Sequence, residues 1–266
     1  MSQDYIHFID KVHRKTGVDL SQYKEAQMKR RLTSLREKRG HHDFKSYFNA
    51  LEKDALLLEE LLDRMTINVS EFYRNRKRFE VLEHKVIPYL HHQKQKLRIW
   101  SAACSTGEEP YTLAMILNRY MPLDQVEILA TDLDLNALKK AEEGLYHERS
   151  LKEVAPDILR KYFRKEGSFY RVRDDIRKSV TFKKHNLLAD RYQKGFDLIV
   201  CRNVMIYFTE EAKQKMYKNF NHSLVDGGIF FVGSTEQIFS PQTYGFEVYD
   251  TFFYRKWQKK ETGNAF

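Results

Sequence analysis

Residues 97–110, Leu-Arg-Ile-Trp-Ser-Ala-Ala-Cys-Ser-Thr-Gly-Glu-Glu-Pro, constrain the fold more than any other stretch of the chain. Leu97, Ile99 and Trp100 form an apolar, β-prone run that gives way to small residues, one glycine and helix-start chemistry. Ser105 with Glu108, and Thr106 with Glu109, have the spacing of a capping box, and Pro110 is tolerated in a first helical turn, where its missing N–H has no required partner. Leu113, Ile116 and Leu117 then share one helical face. A strand, a tight turn and a capped helix make the first unit of a doubly wound α/β sheet. Ligands of such sheets bind beyond the carboxyl ends of the strands, where this turn falls. The loop is therefore expected to let a ligand approach its backbone.

The same turn restricts the ligand. A pyrophosphate site wants several glycines and an uncovered helix N-terminus, but only Gly107 is present and Glu108 and Glu109 stand at the helix start. Carboxylates there repel phosphate and can receive an ammonium or a sulfonium. That favours S-adenosyl-L-methionine over a dinucleotide, with an ordinary capped βα turn as the plain alternative.

The rest of the chain supplies a frame for such a unit. Residues 1–90 read as almost entirely helical, with Met28, Leu32 and Leu35 as a buried stripe, Gly40 as a stop and one helix over Leu51 to Met65. An irregular segment, 68–74, precedes a helix that ends near Tyr89, before Pro88 and the polar run His91 to Lys96 lead into the first strand. Thereafter strands and helices alternate: a strand over Val126 to Ala130 ending on Thr131 and Asp132, a helix over Leu135 to Glu143 closed by Gly144, and strands at 180–185, 196–201 and 228–233. Phe246 to Trp257 reads as a closing antiparallel hairpin. Between Leu145 and Ser179 a helix over 156–163 and a hairpin signal at Gly167 interrupt the alternation and mark an inserted subdomain. The expected division is a helical domain over 1–75 and an α/β domain over 76–266, with the insertion at about 145–179.

With 266 residues, 42% of them hydrophobic, the chain can build a sizeable core. No apolar run reaches the roughly 20 residues of a membrane span, and no signal-peptide pattern opens the sequence. Cys104 and Cys201 have neither metal-ligand nor disulfide spacing, so no metal is expected and a cytoplasmic setting is. The net charge is +9, and Lys24 to Lys45 carries eight basic residues against three acidic ones. On the stripe-bearing helix Lys29 and Arg36 flank one side, Arg31 and Lys38 the other, and Arg30 points outward. Such a surface suits an anionic partner.

Candidate site residues follow the strand ends. Asp132 closes the second strand where a carboxylate can grip ribose hydroxyls, although helix capping is the ordinary alternative. Asn186-Leu187-Leu188 follows the third strand, where an amide beside apolar side chains could hold adenine, or could be turn chemistry. Cys201-Arg-Asn-Val-Met-Ile-Tyr-Phe208 follows the fourth, with backbone capping by Asn203 as the plain reading.

Taken together and in order, Asn68-x-Ser70-x-Phe72-Tyr73-Arg74, Ala103 to Tyr111, Ala130-Thr-Asp132-x-Asp134, Asn186-Leu187-Leu188 and Cys201 to Phe208 resemble the chemotaxis receptor methyltransferases, the CheR family. The resemblance implies a Rossmann-like S-adenosylmethionine methyltransferase sheet with an all-helical N-terminal domain and a small inserted β-subdomain. It implies methylation of specific glutamates on the cytoplasmic helices of chemoreceptors, with S-adenosyl-L-methionine as donor and S-adenosyl-L-homocysteine as product. Cofactor contacts are implied at Asn68, Ser70, Arg74, Glu109, Asp132, Asn186, Leu187, Asn203 and Val204, with Glu109 at the amino end of the methionine moiety. Ser70 stands where the family more often has threonine, which keeps the hydroxyl and loses a methyl.

A glutamate is already ionised near neutral pH, since its unperturbed pKa is about 4.3. No general base is required, and Arg74 and Tyr207 are the groups expected to position the carboxylate. In this family the helical domain docks on acidic receptor helices, which gives Lys29, Arg30, Arg31, Arg36, Lys38 and Arg39 a role. The chain departs from members that hold a receptor's C-terminal pentapeptide: its 164–173 turn is short and has a single glycine, so tight pentapeptide binding is not expected. The protein is expected to be monomeric and recruited to membrane receptor arrays. Two rivals are a nucleic-acid methyltransferase, disfavoured by the absence of an Asn-Pro-Pro-Tyr-like run after the fourth strand, and a non-enzymatic cofactor-binding scaffold.

Overall fold

The computed structural model describes residues 3–66 and 69–258. Four helices open the chain: α1 (Gln3–Thr16), α2 (Glu25–Lys38), α3 (Phe44–Lys53) and α4 (Ala55–Met65). They share a core of their own that includes Tyr5, Phe8, Leu32, Tyr47 and Leu61. The Asp4 carboxylate accepts from the backbone N–H groups of Phe44 and Lys45 at 2.8 and 3.1 Å, tying α1 to the start of α3. Helix α2 buries Met28, Leu32 and Leu35, the stripe its periodicity predicts. The single helix expected over Leu51 to Met65 is instead broken at Asp54. Its carboxylate accepts from Leu56 N and Leu57 N and caps α4. Apolar spacing runs on across this break, but a short acidic side chain is worth more as a cap than inside a helix.

After residue 75 a helix runs through α5 (Arg76–Val81), a π-helical turn over 82–86 and α6 (Ile87–Gln93). It passes Pro88 rather than ending near it. Pro88 falls in the first turn of α6, directly after the π turn, where a missing N–H costs least. Next come β1 (Leu97–Ala102), α7 (Glu108–Leu117), β2 (Val126–Asp132) and α8 (Leu135–Glu143), which ends on Gly144 at φ 63°. The insertion contributes β3 (Leu145–His147), α9 (Pro156–Tyr162), β4 (Phe163–Glu166), β5 (Phe169–Val172) and α10 (Asp174–Lys178). The chain closes with β6 (Val180–Lys184), β7 (Phe196–Cys201), α11 (Glu210–Ser223), β8 (Leu224–Val232), β9 (Phe246–Asp250) and β10 (Phe253–Lys256).

The main sheet has the order β6-β2-β1-β7-β8-β10-β9. Its first five strands are parallel, and β10 runs antiparallel to both β8 and β9. The order reverses between β1 and β7, where Ala102 stands level with Thr131 on one side and Cys201 on the other. One face packs Ile99, Ile128, Leu198 and Phe231 with Leu113, Ile116 and Leu117 of α7. The other packs Trp100, Ile199 and Phe230 with Phe220 of α11. The Trp100 indole N–H donates to Thr131 Oγ1 at 2.9 Å, and its ring meets His185 and Tyr192 edge-on. Helix α7 is buried from Pro110 to Leu117, so it is a core helix and not the one-faced helix its spacing suggests.

The inserted strands form a separate sheet, β3-β5-β4, with Gly167 at φ 62° in the β4–β5 turn. Strand β3 has no period-2 signal in its three residues and is recruited only by pairing with β5. The insertion packs behind the segment that precedes α5. Phe72 meets the rings of Tyr146 and Phe163, and its N–H donates to the Ser150 carbonyl at 3.0 Å.

Candidate cofactor and substrate site

A cavity of about 250 Å³ opens at the carboxyl ends of β1, β2, β6 and β7. Its wall also takes Tyr23, Met65 and Thr66 from the helical domain and Val69 to Glu71 with Arg74 from the segment leading into α5. The turn after β1 folds by left-handed backbone at Ala103, Ser105 and Gly107. Gly107 is required twice: it has φ 93°, and a Cβ there would lie 2.8 Å from the Ala141 side chain of α8. Its bare face therefore meets α8, while Ala103, Cys104 and Ser105 face the cavity. Tyr146 of the insertion donates to the Thr106 carbonyl at 2.7 Å and braces the turn from behind.

Neither capping box forms. Gly107 is the N-cap of α7 and has no side chain to offer, and the Thr106 hydroxyl donates to Glu108 Oε2 at 2.7 Å. Glu108 is buried away from the cavity wall. Glu109 alone of the pair lines it. Its Oε1 accepts from Ser101 Oγ at 2.8 Å, and its Oε2 lies 3.3 Å from Nη1 of Arg202. Burial pushes the Glu109 carboxyl up, and the Arg202 guanidinium works against that.

Asp132 accepts from Ser105 N at 2.7 Å and from Asp134 N at 3.0 Å, so it clasps the β1 turn to the β2 turn. Helix α8 is capped by Asp134, whose carboxylate takes the N–H groups of Asn136 and Ala137. Burial raises Asp132 above the usual carboxylate range, and it raises Tyr23 too, with the Asp132 charge contributing. Asn186 does make a turn: its Oδ1 accepts from Leu188 N at 2.9 Å while the residue still lines the cavity beside Leu187.

The loop after β7 is held by a residue outside every motif noted in the sequence. Glu236 accepts from Asn203 N at 2.6 Å, Val204 N at 2.9 Å, Met205 N at 2.7 Å and Gly233 N at 2.8 Å. Asn203 sits at φ 62°. A Cβ on Gly233 would fall 2.3 Å from Glu236 Oε2 and 2.9 Å from Asn203 N, so this glycine makes room for the clamp. Arg202 and Glu236 are the functional-site residues that motif reading missed. An arginine inside an apolar run was a signal for the first, and nothing local marked the second. Among the described residues, seven non-glycine residues have positive φ, and five of them (Tyr73, Asn75, Ala103, Ser105 and Asn203) line the cavity or flank Arg74. Backbone of this kind clusters at working sites.

The structure brings Ser70, Arg74, Glu109, Asp132, Asn186, Leu187, Asn203, Val204 and Tyr207 into the wall of this one cavity, and Asn68 lies outside the described residues. Arg74 is half-buried and donates from Nη1 to the Val69 carbonyl at 2.7 Å. Tyr207 also lines a groove with Gln27, Arg30, Arg31, Ser34, Leu35, Lys38 and Arg64, so the cavity and the basic helix α2 meet at its ring. The five basic residues of that helix and Arg39 at its C-cap divide. Arg30, Arg31 and Lys38 line the groove, whereas Lys29 lies over Tyr5, Arg36 over Phe44, and Arg39 pairs with Glu60 at 2.7 Å.

A parallel sheet reversing at β1 and β7 and closed by an antiparallel β10, with Glu109 and Asp132 lining the cavity beyond its first two strands, is the Rossmann-like arrangement of S-adenosylmethionine methyltransferases. The donor set fits that cofactor: Glu109 and Asp132 suit an ammonium, a sulfonium and ribose hydroxyls, and Leu187, Leu188, Val204 and Ile206 give apolar wall for a purine. Comparison with known proteins agrees. The model described as the CheR methyltransferase all-alpha domain matches residues 3–66, and that of its SAM-binding domain matches residues 68–253. The chain is 48% identical over 257 residues to a chemotaxis protein methyltransferase of Listeria innocua, covering 96% of this chain and 98% of that one. It is 33% identical to the Escherichia coli chemotaxis protein methyltransferase, covering 85% and 81%. The chain belongs to the CheR methyltransferase family, and its cofactor is S-adenosyl-L-methionine.

Proposed function

We propose that the protein transfers a methyl group from S-adenosyl-L-methionine to specific glutamate side chains on the cytoplasmic helices of chemoreceptors, forming methyl esters and leaving S-adenosyl-L-homocysteine. The observation that carries this reading is Tyr207, shared between the cofactor cavity and a groove lined by Arg30, Arg31, Lys38 and Arg64. An acidic helix lying along that groove brings a carboxylate to the mouth of the cavity. The bound cofactor supplies an electrophilic sulfonium methyl, and a carboxylate oxygen displaces the sulfur in line as opposite charges cancel.

Residues of this chain then have to align and exclude water, not remove a proton. Arg74 and Tyr207 orient the receptor carboxylate. Arg74, shared with the Val69 carbonyl, holds it without the tight ground-state grip that would slow transfer. Glu109 receives the cofactor's ammonium, Asp132 its ribose, and Asn186 and Leu187 its adenine, with Ser70, Asn203 and Val204 completing the wall and Asn68 assigned to the cofactor by family resemblance alone. The helical domain, residues 1–75, docks on the receptor, and residues 76–266 carry out transfer in the cytoplasm at receptor arrays. The β4–β5 turn has only Gly167 and Ser168 between its strands, which supports the absence of tight pentapeptide binding.

The test is tritiated methyl transfer from the donor to receptor-rich membranes and, in parallel, to RNA. Label on receptors that alkali releases as volatile methanol is expected. Label on RNA, or on neither, refutes the proposal.

A further inference from the structure

The Cys201-Arg202-Asn203 run puts a guanidinium where the packing calls for an apolar side chain. The Arg202 side chain is 2% exposed and lies between the rings of Phe79 and Phe231, 4.9 and 4.8 Å from their centroids. Nη1 faces Glu109 Oε2 at 3.3 Å, and Nη2 donates to the Arg74 carbonyl at 2.7 Å. One buried fork thus touches a cavity-lining carboxylate at one tip and the backbone of Arg74 at the other. That backbone needs holding, since Tyr73 at φ 55° and Asn75 at φ 64° flank Arg74 in the left-handed region. Such a conformation persists only where its surroundings over-determine it. A planar guanidinium can serve two acceptors at fixed relative positions, which a lysine ammonium cannot.

We propose that Arg202 is a positioning residue with two tasks: it pairs with Glu109 so that this carboxylate faces the cofactor's ammonium, and it fixes the Arg74 carbonyl so that the Arg74 side chain is set for the receptor carboxylate. The inference rests on the roles assigned above to Glu109 and Arg74. Burial favours a protonated Glu109, and Arg202 opposes that by charge and by hydrogen bond. Without Arg202 the main group opposing burial is gone, so a cation that binds Glu109 competes more strongly with a proton.

The test uses the full chain, with calorimetry of S-adenosyl-L-homocysteine binding at pH 7.5 in buffers of different ionisation enthalpy, beside receptor methylation kinetics. Arg202→Met fills the slot between the rings without charge, and Arg202→Lys keeps the charge but not the fork. Arg202→Met should release more protons per ligand than the wild type, with Kd raised about tenfold for each unit by which Glu109 moves above the working pH. Arg202→Lys should bind like the wild type yet lose about 100-fold in kcat, the usual scale for a displaced positioning group. This split stands by itself if Arg202→Met does not fold. A lysine variant with unchanged kcat, or with Kd and kcat impaired in equal proportion, overturns the proposal, as does Arg202→Met binding with no more proton release than the wild type. Glu109→Gln separates the two levels. Unchanged cofactor Kd in that variant removes the role given to Glu109 itself, whereas weakened binding there with normal Arg202 variants removes only the role of Arg202.

Discussion

Replacing Glu236 by glutamine changes almost nothing in shape and much in hydrogen bonding. The carboxylate takes two backbone N–H groups on each oxygen: Asn203 and Gly233 on Oε2, Val204 and Met205 on Oε1. An amide has one acceptor oxygen, so whichever way it turns, its NH₂ faces two of the four donors. Two N–H groups are then left without a partner at a residue only 5% exposed. Each such loss costs about 1–3 kcal/mol, so Glu236→Gln should lower stability by about 2–6 kcal/mol. In a domain of this size that is roughly 4–24 °C in Tm. The loop it releases carries Asn203 and Val204 in the cavity wall, so cofactor Kd should rise together with the fall in Tm. Thermal unfolding by circular dichroism, with and without S-adenosyl-L-homocysteine, reads both. A variant melting within about 2 °C of wild type and binding normally would refute the claim that this carboxylate shapes the loop.

Other outcomes follow from the same geometry. Arg74→Ala should cut kcat about 100-fold or more, far more than it weakens cofactor binding, as expected for a positioning group; near-normal turnover on receptor membranes sinks the assignment. Reversing Arg30 and Lys38 to glutamate should raise receptor KM at low salt and leave cofactor affinity intact, whereas Arg36→Glu should lower Tm, because Arg36 is packed on Phe44. Equal KM effects from both would erase the distinction. Cofactor affinity should weaken as pH falls. Burial raises Glu109 above its ordinary 4.5, so the proton competes with the ligand's ammonium in a window that begins above that value. Calorimetry between pH 7.5 and 5.5 checks the trend, which Glu109→Gln should flatten.

Elements were legible where local chemistry and packing agree. Strand β7 and helix α8 fall where apolar runs, an aspartate cap and Gly144 put them. The misreadings share one cause, a local signal outweighed by something distant. Leucines continue across Asp54, which hides the break between α3 and α4. The serine and threonine that suit capping boxes turn elsewhere because Gly107 must meet α8. Strand β3 exists only because β5 lies beside it. In the cavity wall, residues within strand-end motifs could be picked out by type and order. Glu236 could not, because its partners are backbone N–H groups, three of the four more than thirty residues earlier, and carry no side-chain signature.

The buried Trp100 gives the protein an optical consequence. The chain has two tryptophans, and the second, Trp257, is 48% exposed. Trp100 stands edge-on to His185, which itself lines the cavity beside Asn186 and Leu187. A ligand settling there alters the surroundings of one indole and leaves the other in solvent. With Trp257→Phe the emission comes from Trp100 alone, and occupancy of the cavity becomes readable from the protein's own fluorescence, without a label.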